Sequence, residues 1–375
     1  MPASTSLALL LAFATVSEVE VRVLDDALHH LGDSRVSWPD VPPEPEGGRY
    51  DLTFEAAAID GEAVLFLRHR DVDDPWHVEL NGVRVASLRV TKQDGRYPYV
   101  LPAGSIAAGP NRLAVVCETT TDDIVLGDVR LDPRPLEVAL ALGDVEIDVV
   151  DADGRGLPAR VTIRRDGKEP AELFDFDRKR TAARPGVAYA RGGRLRAKLP
   201  SGRYTIWAGR GTEWSLAKAA LSVRRGGVAT KRLVLTREVD TRGWVAADTH
   251  VHTLTYSGHG DASIEERMIT LAGEGVELAI STDHNHQTDY PAWQRITGMH
   301  GWYTSVTGNE VTTGVGHFNA FPLAAGGPLP DPGLDDWVGL VDEMRGKGAK
   351  VVILNHPRWP AGADGPFVRF GFDPR

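Results

Sequence analysis

From about residue 45 to about 135, apolar and polar positions alternate in short runs: YDLTFEAAAI, AVLFLRHR, WHVELNGVRVASLRV and NRLAVVCE. A period of two puts successive side chains on opposite faces of an extended chain, so each run predicts a half-buried strand. IDGE, LNG, KQDG and AAGPN punctuate the runs as turns. Strands spaced roughly ten residues apart predict an antiparallel sandwich. The alternation resumes from about 137 to 238. There VEIDVVDADGRGLPARVTIRR reads as strand, turn and strand, GRLRAKLPSGRYTIWAGRG as a hairpin, and VATKRLVLTREV as a closing strand. Two β-sandwich domains are therefore expected, over 21–135 and 136–238, with no clear internal repeat.

The period then changes. In SIEERMITLAGE (263–274) the apolar residues Ile264, Met268, Leu271 and Ala272 follow the i, i+4, i+7, i+8 stripe of a helix. Ser263 and Glu266 make a capping box, and Gly275 is a stop signal. VELAIS (276–281), GWYTSVTG, GHFNAFPL and AKVVILNH read as strands. Asp331-Pro332 opens a second helix with Leu334, Trp337, Val338, Val341 and Met344 on one face, closing near Gly348. Strands alternating with helices predict a parallel α/β arrangement over 239–375.

Composition narrows the function classes. Apolar residues are 42% and charged residues 25% of the 375-residue chain, as in folded globular proteins. A net charge of −10, with no Lys/Arg run longer than three, argues against a nucleic-acid surface, because phosphate contacts need basic patches. A single cysteine, Cys117, excludes an internal disulfide and a cysteine-built zinc cage. The run LALLLAFATV (7–16), within which Ala12-Phe13-Ala14 matches a small-x-small cleavage pattern, is of signal-peptide length. Residues 1–20 are accordingly read as a signal peptide, with export to the periplasm or medium favoured. The alternative is a first buried strand or helix in a cytoplasmic protein. The run is too short to cross a bilayer, so no membrane span is expected.

Eight of the twelve histidines fall between 250 and 356, and that skew points to local chemistry. Asp248, His250 and His252 follow one predicted strand, Asp283 and His284 another. Glu310, His317 and His356 lie at or near further strand ends. In parallel α/β proteins the carboxyl ends of strands build the active site. His250 and His252, two apart on an extended segment, would share a face with their Cα atoms roughly 6–7 Å apart, close enough to chelate one ion. Imidazoles with carboxylates suit zinc, iron or manganese, and two such ions can generate a hydroxide and clamp a substrate oxygen.

Three resemblances add to this reading. HVELNGVRVAS with YVLPAGSIAAGPNRLAVV resembles galactose-binding-like jelly rolls, which implies a possible carbohydrate contact at Trp76 and His77; core packing is the stronger reading there. DADGRGLPARV with LPSGRYTIWAGRG resembles small transthyretin-like sandwiches, which act as spacers. DTHVHT, SGHGD, STDHN, GNE, GHFNAF and ILNHP together resemble the PHP (polymerase and histidinol phosphatase) family, in its carbamate-hydrolase-like branch. That resemblance implies two N-terminal β-sandwich domains followed by a (β/α)7 barrel holding two or three divalent ions. It implies metal ligands at His250, His252, His284, Glu310, His317 and His356, with either His259 or Asp261 from the loop before the first helix. It places Asp283, His284 and Glu310 at the catalytic centre, with Asp248 and Asp283 orienting imidazoles rather than ligating. His286 is a lesser candidate, His300 a surface histidine, and Thr249 and Asn285 near neighbours. The family also carries a late Asp-x-His pair, which the segment ending in VRFGFDPR lacks, so an incomplete barrel is expected. The function that follows is metal-dependent hydrolysis of a small-molecule phosphoester or a carboxylic or carbamic ester by a metal-bridging hydroxide. The alternative is a glycan- or ligand-binding protein with a degenerate, inactive metal site.

Overall fold

A computed structural model describes residues 20–118 and 122–357. The export reading at 7–16 and the terminal VRFGFDPR lie outside the described residues. The chain divides into two compact units, Met1–Ala141 and Leu142–Arg375.

In the first unit the alternating runs become two four-stranded antiparallel sheets. One orders Arg22–Leu31, Ile124–Asp132, Ala63–Arg70 and Gly95–Leu101; the other orders Arg49–Ala56, Gly109–Cys117, Trp76–Leu80 and Val83–Ser87. Every second residue points inward, so Leu65, Leu67, Trp76, Val78, Leu113, Val115 and Leu126 fill one shared core. Trp76 is fully buried and its Nε1 donates to Asp122 at 2.8 Å, so it offers no face to a sugar. His77 is held by Glu79 at 3.2 Å and Glu118 at 3.3 Å. Core packing describes Trp76; His77, half-buried on the opposite strand face, is held by these carboxylates instead.

His69 is a buried polar exception in that core. Its Nε2 meets the Tyr99 hydroxyl at 2.6 Å, and burial, helped by Arg89, pushes the imidazole down to about 4. The ring is therefore neutral in the fold, whereas an unfolded chain protonates it near 6.5. Stability from the neutral ring is complete above about 6.5 and drains away as pH falls toward about 4, by about 3 kcal/mol at most. We expect the stability gap between wild type and His69→Gln to narrow across that window in urea titrations. A gap independent of pH would contradict this account.

The second unit begins with another sandwich. Thr181–Arg184, Val187–Ala190, Arg160–Arg165, Gly202–Gly209 and Ala217–Val223 form one sheet, with Glu169–Pro170 attached to Arg160–Arg165. Facing it, Leu142–Val150 pairs antiparallel with Arg194–Pro200 and parallel with Val228–Val234. Ile147, Ile163, Leu195, Leu199 and Ile206 are at the centre of its core.

Beyond residue 246 the expected barrel does not form, and this is the main correction to the fold class. Among the described residues the protein is mostly β, with six small sheets and five short helices. Ala247–Val251, Leu278–Ser281 and Thr304–Thr307 do pair in parallel, connected by the helices Ile264–Gly273 and Tyr290–Thr297. Then the alternation stops. Only Gly308 separates Thr304–Thr307 from Asn309–Thr313, which leaves no room for the dozen residues a parallel crossover needs. Asn309–Thr313 instead turns through Gly314-Val315 into Gly316–Phe321, and Val351–Leu354 completes a separate antiparallel sheet. The second predicted helix also starts later, at Trp337 rather than near Asp331, because Asp336 accepts from Gly339 N and caps it there.

The helix Ile264–Gly273 matches its sequence signals more closely. Ser263 and Glu266 exchange both capping-box bonds, and Ile264, Met268, Leu271 and Ala272 are buried with Val251, Ala279, Tyr290 and Tyr303. Its outer side rests on the second sandwich. Arg184 makes paired bonds to Glu266 at 3.0 and 2.9 Å, and Tyr189 bonds to Glu274. Arg210 donates to the carbonyls of Pro158, at 2.7 Å, and Ala272.

Candidate metal centre

The strand Ala247–Val251 carries His250 and hands on directly to His252. Thr253 caps the one-turn helix Leu254–Ser257, and Gly258, at φ +73°, reverses the chain so that His259 returns over the same opening. The next parallel strand ends at Ser281, and Thr282 locks the two strand ends together: its hydroxyl accepts from Val251 N at 2.7 Å and donates to Val251 O at 3.1 Å. Asp283 and His284 follow. Glu310 and His317 lie on neighbouring antiparallel strands, where Glu310 pairs with Asn319 and Thr312 with His317. Asn355 and His356 follow the last strand, and His356 sits at φ +27°, a conformation that persists in L-residues only where surroundings impose it.

Glu310 is the centre of the group. It is fully buried. His250 Nε2, His317 Nδ1 and His356 Nε2 lie 3.3, 3.4 and 3.3 Å from its Oε1. His252 Nε2 and His284 Nδ1 lie 3.1 and 3.0 Å from its Oε2. Asn355 donates an amide hydrogen to Oε1 at 2.8 Å. Residues spread from 250 to 356 therefore converge on one carboxylate. His259 joins through His284, the two Nε2 atoms being 2.7 Å apart, and the Nε2 atoms of His250 and His252 are 3.0 Å apart.

These contacts suit a cation. Oε2 of Glu310 and Nδ1 of His317 are buried without a hydrogen-bond partner, although ring nitrogens and carboxylate oxygens stand within 3.4 Å of them. Buried acceptors normally find a donor; acceptors aimed at a shared point do not need one if an ion stands there. Three overlapping sets have all their donor atoms within 4.8 Å of one another: His252, His259 and His284; His250, His252 and Glu310; His284, Glu310 and His317.

The charge state is also the one a divalent ion requires. Burial would raise the Glu310 carboxyl, but His250, His252, His317 and Asn355 outweigh it and hold the group far below the carboxylate range. Burial lowers His284 to about 4; Glu310 opposes the shift, while His252, His259 and His317 add to it. Burial and His317 likewise lower His356, against the pull of Glu310. An ionised carboxylate thus sits beside two imidazoles, His284 and His356, biased toward their neutral, electron-donating form.

Other sequence candidates lie outside this set. Asp261 does not enter the cluster: its carboxylate turns to Arg184 at 3.3 Å and is 77% exposed, so the loop residue that reaches the site is His259. Asp283 is fully buried and touches no cluster nitrogen by hydrogen bond. Its Oδ1 accepts from Thr253 N at 2.7 Å, Thr253 Oγ1 at 2.9 Å and Ser257 Oγ at 2.7 Å, and its Oδ2 accepts from Thr288 Oγ1 at 2.5 Å. It anchors the loops on either side of the cluster. Asp248 accepts from His250 N at 3.1 Å, and His286 stacks on Tyr256 at 4.4 Å. His300 is exposed. Asn285 braces the Glu310 strand, its Oδ1 accepting from Thr312 N at 3.0 Å, and Asn319 donates to Thr249 O at 2.7 Å.

Sequence reasoning passed over Ser257, Thr312 and Asn355. Thr312 had a readable signal, since it stands two residues from Glu310 on one strand face. Ser257 lies between two candidate histidines, but only the fold shows what its hydroxyl meets.

No family model matches the chain, and comparison with curated proteins gives no match. Among solved structures it is similar to an FMN-binding β-glucuronidase from Facaelibacterium prausnitzii L2-6, at 11% identity over 76% of this chain and 51% of that one, with a TM-score of 0.21. It is similar to a GH2 β-galacturonidase from Eisenbergiella tayi at 12% identity over 74% and 61%, TM-score 0.22. It is also similar to an acetyl xylan esterase (Est2A) from the rumen bacterium Butyrivibrio proteoclasticus at 13% identity over 37% and 35%, TM-score 0.16. The chain spans between 35% and 61% of the length of these three structures. Scores this low carry no argument about shared fold or activity. The expected PHP membership is nevertheless corrected: no family model supports it, and the described residues do not build a (β/α)7 barrel. The PHP-type enzyme assignment and its phosphoesterase label go with it. The convergence of side chains on Glu310 does not depend on that assignment. No helix is long and apolar enough to cross a membrane among the described residues.

Proposed function

We propose that the cluster around Glu310 holds two or three divalent cations, drawn from zinc, manganese and iron, and that the chain uses them to hydrolyse an ester-type bond in a small molecule. The observation that carries this reading is a fully buried carboxylate with five imidazole nitrogens within 3.0–3.4 Å of it. A single closed structural zinc needs four ligands, and this set exceeds that number. His252, His259 and His284 would hold one ion. Glu310 would help hold a second ion with His250 and His252, and it stands beside His317, whose Nδ1 is 3.4 Å away. Bound divalent ions supply Lewis acidity, which favours attack of water on an electrophilic carbonyl. The chain's own part is to neutralise the ions through Glu310, to keep His284 and His356 unprotonated and to hold Glu310 in place through Asn355.

A second reading keeps the metal and removes the turnover. The parallel sheet has three strands, and His250 remains 35% exposed at the opening. An open site of this kind also suits a glycan- or ligand-binding protein whose metal is inert.

Both readings meet one experiment. Purified wild type should retain divalent metal by mass spectrometry, His252→Ala should lose most of it, and His300→Ala should match wild type. Turnover of any member of a panel of carboxylic, carbamic and phosphoric esters, lost in His252→Ala, supports hydrolysis. Metal without turnover favours the binding reading. Equal metal content in wild type and His252→Ala removes the metal site altogether.

A further inference from the structure

Two hydroxyls behind the cluster decide which ring nitrogens can face a cation. Ser257 Oγ donates to Asp283 Oδ1 at 2.7 Å and accepts from the backbone N–H of His284 at 3.3 Å. His252 Nδ1 is its third neighbour, at 3.1 Å. A serine hydroxyl has one hydrogen and two lone pairs. A carboxylate can only accept and an amide N–H can only donate, so the hydrogen goes to Asp283 and one lone pair to His284 N. Only a lone pair is left for His252, and its Nδ1 must therefore bring the hydrogen. Thr312 repeats the arrangement. Its Oγ1 donates to Glu310 O at 3.1 Å and stands 2.5 Å from His284 Nδ1. With the hydroxyl hydrogen placed on that carbonyl, a lone pair faces His284 Nδ1, which then carries the hydrogen; Glu310 Oε2, 3.0 Å from the same nitrogen, can only accept and favours the same state.

We infer that Ser257 and Thr312 are positioning residues that fix His252 and His284 as Nδ1–H tautomers, and so present both Nε2 lone pairs to the cation site shared with His259. This rests on the metal-site reading and sharpens it. His284 would serve the set with His252 and His259 through Nε2, not the set with Glu310 and His317 through Nδ1. Asp283 gains a role without touching the site. Its other donors, Thr253 N, Thr253 Oγ1 and Thr288 Oγ1, tie it to both loops, so the Ser257 hydroxyl is aimed by a fixed acceptor. Outer partners of this kind set the tautomer and basicity of metal-binding imidazoles, and their loss costs about 10–100-fold in metal affinity.

The test uses the full chain with 15N-labelled histidine and no added metal, the His252 and His284 signals being assigned from His→Gln variants. Long-range proton–nitrogen correlation spectra report which ring nitrogen carries hydrogen. Wild type should show Nδ1–H at both residues. Ser257→Ala should lose that preference at His252 and bind zinc about 10–100-fold more weakly, measured against a chelator. Ser257→Thr should restore both, and Thr312→Val should do to His284 what Ser257→Ala does to His252. An Nε2–H tautomer at His252 in wild type overturns the inference, and so does a Ser257→Ala protein with unchanged tautomer and affinity. Wild type with the expected tautomers but no zinc binding would overturn the metal reading instead and leave the hydrogen-bond assignment standing.

Discussion

Glu310→Gln should abolish divalent-metal binding while leaving the protein folded. Glutamine has nearly the same shape, so Asn355 keeps its acceptor and the buried position is refilled. What disappears is the negative charge and one of the two accepting oxygens. The amide also places N–H donors beside the imidazoles, where they would occupy ring lone pairs that would otherwise face a cation. Loss of an outer hydrogen-bond partner weakens metal sites about 10–100-fold, so loss of the carboxylate shared by two ligand sets should exceed about 100-fold. Melting curves read this directly. Zinc at about 100 times its dissociation constant should stabilise wild type by about 2.7 kcal/mol and leave Glu310→Gln unmoved. Equal zinc-induced stabilisation in both proteins would remove Glu310 from the site. Any ester turnover found in wild type should vanish in the variant.

The sequence made some of this legible for reasons that can be named. Strands in both sandwiches bury one face only, so their alternation survives in the chain as a period of two. Helix Ile264–Gly273 has its N-terminal signal, its stop and its buried stripe within a dozen residues, and no distant contact contradicts them. The barrel failed at the point where local pattern says nothing about strand direction. Gly316–Phe321 is as apolar as a parallel strand, and only the two-residue turn before it marks it as half of a hairpin. Asp261 failed for a non-local reason. Its chemistry fits a ligand, but Arg184, from the preceding sandwich, holds its carboxylate away from the opening. The histidines were readable as a group because eight of them crowd one part of the chain, whereas the hydroxyls that orient them carry no such excess.

That dependence on the preceding sandwich gives the second large effect. Gly211→Ala should destabilise the second unit by about 2–5 kcal/mol. Gly211 has φ +65°, where a side chain is strained by about 1–2 kcal/mol. A Cβ built there would also stand 2.3 Å from the carbonyl oxygen of Glu274, at the end of helix Ile264–Gly273. Backbone cannot yield as a flexible side chain can, so either the helix end or the loop must move, at a further cost of about 1–3 kcal/mol. Gly226 separates the two terms, since it has the same φ of +65° and nothing within 4 Å of a Cβ. Gly226→Ala should therefore lose only the strain, about 1–2 kcal/mol. The displaced helix also carries Arg267, whose Nε donates to His252 O at 3.0 Å, so zinc affinity should fall in Gly211→Ala and hold in Gly226→Ala. Urea denaturation and zinc titration of the two variants side by side read both effects. If Gly211→Ala loses no more stability than Gly226→Ala, the sandwich does not hold the helix, and the helix's hold on His252 must come from within the segment that bears the cluster.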